Sequence, residues 1–149
     1  MKSTLLFAII ALAATAAAQD VTNHSTTATA GKIGGAVSLT PSQYLDRSAF
    51  TLGATSITAE AWVYSTNFTQ NGMVLEQDDV NTNWELFFYS GNGHTYWRGG
   101  GCCSFDQHAA HPSNSAWHHF AGTMLTSGGT TGVLYIDGVA AASGSMQPP

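Results

Sequence analysis

The sequence predicts an all-β protein whose antiparallel strands stack as a two-sheet sandwich, and three observations carry that prediction. Charged residues are only 9% of the chain, so the Lys, Glu and Arg that build amphipathic helices are scarce, while Gly, Ser, Thr, Asn and aromatic residues are plentiful. Short apolar runs follow one another with turn signals between them, at the spacing of a sandwich. Residues 116–138, AWHHFAGTMLTSGGTTGVLYIDG, read as strand, polar turn and strand, closed by the Asp137-Gly138 dipeptide that favours a tight hairpin bend.

The first 18 residues read as a secretory leader. Lys2 gives a short positive start, Leu5 to Ala14 is apolar, and Ala16-Ala17-Ala18 supplies the small residues of a cleavage site. The run is shorter than the ~20 residues that span a bilayer, so membrane insertion is not expected. This segment is expected to lie outside the fold and to be removed. Residues 19–30, rich in Thr and Ser and without apolar periodicity, read as a flexible lead-in. The folded domain is expected over 31–149, long enough for one core and too short for two.

Within it, Ala36 to Leu39 and Tyr44-Leu45 are expected to form a first strand pair about Pro41-Ser42. Ile57, Ala59, Ala61 and Val63 fall on one face of the next strand by the period of two, opposite Glu60, Trp62 and Tyr64. Asn71-Gly72 turns the chain into Met73-Val74-Leu75. The most apolar strand follows at Trp84 to Tyr89, and Gly91-Asn92-Gly93 joins it to His94 to Arg98 as a hairpin.

After the leader, Lys32, Arg47 and Arg98 are the cations, set against nine carboxylates. Nucleic acid and anionic membranes need clustered Lys or Arg, so both are excluded as expected partners.

Several stretches together identify a family. "W-H-H-F-A-G-T" from Trp117 followed by "L-Y-I-D-G" from Leu134, Gly31-Lys32-Ile33-Gly34-Gly35-Ala36, and Ile57-Thr58-Ala59-Glu60-Ala61-Trp62-Val63 resemble the strands of laminin G-like domains of the concanavalin A-like lectin and glucanase superfamily. The resemblance implies a jelly-roll sandwich, and a further and a returning strand after "L-Y-I-D-G", so the domain is expected to lack its last strands here. It also assigns Trp62 and Trp117 to structure, and implies a non-catalytic module that is secreted or at the cell surface and binds extracellular carbohydrate or glycoprotein. A part of a secreted glycoside hydrolase or polysaccharide lyase, and a structural matrix or adhesion module, are the competing readings.

For the hydrolase reading the E-x-D-x-E strand of related glucanases is missing, and Glu76-Gln77-Asp78-Asp79 is expected to be a loop. Asp78 and Asp79, with Asn81 and Asn83, are hard oxygen donors. They read either as the calcium site that the resemblance implies at the sandwich rim or as a solvated turn. Cys102 and Cys103 read as disulfide-forming in a secreted chain, or as zinc ligands with His108 and His111. His118 and His119 are neighbours on a strand, so their rings should face opposite ways. For a glycan, Trp84, Tyr89, Tyr96 and Trp97 offer rings for stacking, with Glu85 and Arg98 to bond hydroxyls. A two-sheet core also demands large aromatics, so for each of these rings burial is the favoured reading. Asn23 and Asn67 begin N-glycosylation sequons, meaningful in a eukaryotic source.

Overall fold

The computed structural model describes residues 5–8, 21–47, 56–79, 82–99, 106–125 and 130–146. The chain is all-β, and its strands run in order as β1 (Leu5–Ala8), β2 (Val21–His24), β3 (Thr27–Ala30), β4 (Gly35–Leu39), β5 (Tyr44–Arg47), β6 (Ser56–Ser65) and β7 (Gly72–Asp79). They continue with β8 (Thr82–Tyr89), β9 (His94–Gly99), β10 (Asp106–Ala110), β11 (Ala116–Leu125), β12 (Thr131–Ile136) and β13 (Val139–Ser145). A seven-stranded sheet in the order β13-β12-β11-β6-β1-β4-β3 lies against a four-stranded sheet in the order β10-β9-β8-β7, and β2 and β5 form a separate ribbon. All pairings are antiparallel.

Alternation decides which residues enter the core. On β6 the predicted inward set, Ile57, Ala59, Ala61 and Val63, is buried, joined by Ser65, while Ser56, Thr58 and Glu60 are exposed. Leu86 and Phe88 of β8 and Trp97 of β9 meet Phe120 and Met124 of β11 and Leu134 of β12 in one cluster between the sheets. Phe68, just after β6, closes one end, edge-on to Phe88 at 5.0 Å and 5.8 Å from Phe120. Its amide donates to Asn114 Oδ1 at 2.7 Å.

Trp97 of the small sheet lies directly over Gly122 of the large one. A Cβ placed on Gly122 would overlap the indole carbons, and the indole N–H donates to the Thr123 carbonyl at 3.0 Å. The bend after β12 is a two-residue turn with both central residues at positive φ, Asp137 at 52° and Gly138 at 78°, the conformation that matches hairpin twist.

Two expectations are corrected, the pairing of β4 with β5 and the loop at Glu76 to Asp79. In the uncleaved chain Leu5–Ala8, part of the expected leader, is a strand with ladder partners on β4 and β6. Its apolar sequence suits an interior strand as well as a leader. The expected lead-in contains β2 and β3, whose Thr-rich polar sequence suits strands that are mostly exposed. β4 and β5 do not pair with each other: Ser42, at a φ of 74°, turns the chain out of the large sheet and β5 pairs with β2 instead. Glu76 to Asp79 is strand, since ladder pairing with Asn83 and Thr82 carries β7 to Asp79.

Gly122→Ala should lower stability by roughly 3 kcal/mol, the upper end for overpacking a core, because the indole has no space to retreat. Denaturant melts of the two proteins, read by tryptophan fluorescence, test this.

Candidate functional site

The pleat that sends Trp84, Leu86 and Phe88 inward turns Glu85, Phe87 and Tyr89 to the opposite, solvent-facing side of β8. Register then builds rows across the small sheet. Arg98 pairs with Glu85 on one side and Asp106 on the other, and Tyr96 lies between Phe87 and His108.

The first row is ionic. Arg98 Nη1 is 3.3 Å from Glu85 Oε2 and Nη2 is 3.7 Å from Asp106 Oδ2, while the guanidinium sits 4.7 Å from the centre of the Phe87 ring. Asp106 also reaches His108 Nδ1 at 3.1 Å. The second row is a pile of rings. Phe87 and Tyr96 are 5.1 Å apart at 14°, and Tyr96 and His108 are 4.9 Å apart at 27°. Tyr96 is therefore only 8% exposed, with its hydroxyl accepting from Asn92 Nδ2. Tyr89, 46% exposed, packs edge-on to Tyr96. Phe87, Tyr89, Tyr96, Arg98 and Asp106 line a hollow of about 360 Å³.

Of the six residues expected to bind a ligand, the structure gathers Glu85, Tyr89, Tyr96 and Arg98 on this face. Trp97 is fully buried and Trp84 is 8% exposed, with its indole N–H bonded to Gln77 Oε1 at 2.8 Å, so both belong to the core. Phe87, Asp106 and His108 complete the site. Their sequence signal was the shared parity with Glu85 and Arg98 along paired strands, which requires a register to be known.

The other expected sites are placed as follows. β7 and β8 bring Asp78 opposite Asn83 in a ladder pair. Cys102 and Cys103 lie outside the described residues. His108 stacks on the outer face, whereas His111 bonds Thr95 Oγ1 at 3.1 Å and packs edge-on to the buried Phe88, so the two do not converge on an ion. Burial holds the His111 imidazole below its ordinary pKa, against a Tyr89 backbone hydrogen bond that raises it, with His94 adding repulsion. Asn67 leaves β6 and its Oδ1 accepts from the Thr69 amide at 3.0 Å and hydroxyl at 2.5 Å. Asn23 lies in β2, its Oδ1 accepting from the Thr26 amide at 2.7 Å. Trp62 and Trp117, expected to help build the sandwich, are half-buried outside the core cluster, tilted against His119 and Tyr64.

The two adjacent histidines face opposite ways, as their strand positions require. His119 Nε2 is 3.4 Å from Glu60 Oε2, and His118 packs edge-on to Phe68. A Ser-His-Asp alignment that the sequence did not reveal runs through His118, with Nδ1 2.6 Å from Asp137 Oδ2 and Nε2 3.3 Å from Ser113 Oγ. Nε2 is closer to the Ser113 carbonyl, at 3.0 Å. Through these contacts the imidazole ties the turn between β12 and β13 to the segment just before β11.

The two-layer antiparallel architecture is that of a concanavalin A-like sandwich. The model of a laminin G-like family, described as the concanavalin A-like lectin/glucanase superfamily, matches residues 34–149, and the chain belongs to that family. Domains of this family serve generally in carbohydrate binding or adhesion, are generally non-catalytic and are typically extracellular. No curated protein and no solved structure matches the chain. No helix among the described residues is long and apolar enough to cross a membrane.

Asp137 sets a pH dependence. Burial alone would raise its pKa, but hydrogen bonds from the His118 side chain and the His119 amide, with the charges of both histidines, lower it below 3.8 in sum. A carboxylate depressed on folding stabilises the protein above its unfolded pKa, and that contribution disappears as pH falls through the folded value. Wild type should therefore lose stability on acidification below about pH 4, and Asp137→Asn should flatten the slope in that window. Urea midpoints measured between neutral and acid pH provide the comparison.

Proposed function

We propose that this chain is a secreted or cell-surface recognition module that binds extracellular carbohydrate or glycoprotein on the outer face of β8, β9 and β10, with no covalent step. The observation that carries the reading is the hollow lined by Phe87, Tyr89, Tyr96, Arg98 and Asp106. Its size is at the lower end of small-ligand pockets, and it combines apolar ring surface with hydrogen-bonding groups, the pairing that a sugar's C–H face and hydroxyls require. Tyr96 is covered by the ring pile, so Tyr89, at 46% exposure, is the more accessible of the two tyrosines lining the hollow. The leader-like first 18 residues support export, with cleavage after Ala18.

The competing hydrolase reading has one observation in its favour, the two carboxylates Glu85 and Asp106 on the same face. Both are committed to Arg98. Cleavage of a glycosidic bond needs one carboxyl free to give a proton to the leaving oxygen, so the ion-paired arrangement favours binding over turnover. Calcium would be held by Asp78 and Asp79 at the end of the β7–β8 hairpin.

A glycan array with the mature protein tests the reading, run with and without chelator. Tyr89→Ala should cost the bound glycan at least tenfold in affinity, about 1.4 kcal/mol, with an unchanged melting temperature. Loss on chelation would assign the ligand to the Asp78–Asp79 hairpin. A protein partner with no glycan bound would reject the carbohydrate reading, and release of reducing ends from a bound polysaccharide would reject the non-catalytic one.

A further inference from the structure

The glycan reading leaves open which glycans the hollow admits, and the ionic row bears directly on it. Arg98 is the sole Lys or Arg among the described residues of the four-stranded sheet. Its two terminal nitrogens each face a carboxylate, Glu85 at 3.3 Å and Asp106 at 3.7 Å, and these three side chains are about one-fifth to one-quarter exposed. One positive charge thus meets two negative ones. The chain as a whole carries a net charge of −5.

We infer that Glu85 and Asp106 are specificity determinants that restrict the hollow to uncharged glycans and refuse anionic ones. An incoming uronate or sulfate would need the fork of Arg98, the only group on this sheet able to bond it in bidentate fashion. Both arms of that fork already face a carboxylate, one hydrogen-bonded to Glu85 and the other ion-paired with Asp106. To reach them the anion would have to displace one carboxylate and lie against the other, and like charges brought together across a binding site cost affinity instead of adding it. A neutral sugar meets no such conflict: its hydroxyls donate to the outward lone pairs of Asp106 and Glu85 and accept from the Tyr89 hydroxyl, while its apolar face rests on the rings. The guanidinium, 4.7 Å from the centre of the Phe87 ring, then serves as a wall of the hollow.

This inference rests on the glycan reading, and the test separates the two. Wild type, Glu85→Gln/Asp106→Asn, and the same double variant with Arg98→Gln are compared for binding to uncharged polysaccharides (β-glucan, mannan) and anionic ones (polygalacturonate, heparan sulfate), at low and high sodium chloride. Wild type is expected to bind an uncharged polymer with little dependence on salt, since no net Coulombic attraction is there to be screened. The double variant, with Arg98 released, is expected to gain at least about tenfold affinity for an anionic polymer, in a salt-sensitive manner, and the added Arg98→Gln should remove the gain. The single variants Glu85→Gln and Asp106→Asn should each give a partial gain, which keeps the test sound if the double variant folds poorly. Wild-type binding of an anionic polymer that the Arg98→Gln change abolishes would overturn the inference while leaving the glycan reading in place. A double variant that folds and gains nothing for anions also overturns it. Binding of neither class by wild type would reject the glycan reading itself, and the inference with it.

Discussion

The contact of Trp97 with Gly122 is the constraint on which the rest of the molecule depends. Two sheets about 10 Å apart usually interdigitate side chains of middling size, but here one strand withdraws its side chain altogether so that the largest residue of the opposite strand can lie flat against its backbone. Because the indole N–H also bonds the Thr123 carbonyl, the contact fixes the lateral position of the small sheet over β11. Leu86, Phe88, Phe120, Met124 and Leu134 then fill the space around it. The outer face inherits that rigidity. With Trp97 fixed inward, its neighbours Tyr96 and Arg98 must point outward, and the two rows of the candidate site follow from the pairings with β8 and β10.

The site is accordingly a by-product of register. Nothing local in Asp106-Gln107-His108 marks it as a partner of Arg98 and Tyr96; the antiparallel pairing of β9 with β10 does. Gln107, between the two outward residues, turns the other way and its Nε2 donates to the Ser145 carbonyl at 3.1 Å, tying the edge of the small sheet to the edge of the large one. The same strand thus serves the surface with alternate residues and holds the two layers together with the one between.

Much of the fold was legible because it is written in periods of two. The inward set on β6, the hairpin of β8 and β9, and the β11–β12 pair closed by Asp137-Gly138 could all be read from alternation and turn chemistry. What could not be read was whatever depends on pairing at a distance. Tyr44-Leu45 looked like the partner of Ala36 to Leu39 because one turn separates them, whereas the ladder takes Tyr44 to His24, where the two rings stack at 4.0 Å. Trp84 and Trp97 suited a core first and a sugar second, and only the facing sheet decides. The polar character of Glu76 to Asp79 suggested a loop, but a hairpin partner supplies hydrogen bonds that make polar residues acceptable in a strand. Asp137 was read for its turn; its carboxylate, which caps His119 and holds His118, has no signature in sequence.

The place of Leu5–Ala8 has a consequence for the order of events in the life of the chain. Leu5 to Phe7 have ladder partners on both sides, on β4 and on β6, so a protease that excises them after folding would have to open a sheet from the middle. Export and cleavage would then have to precede closure of the large sheet, and the processed chain would have to join β4 to β6 without its original bridge.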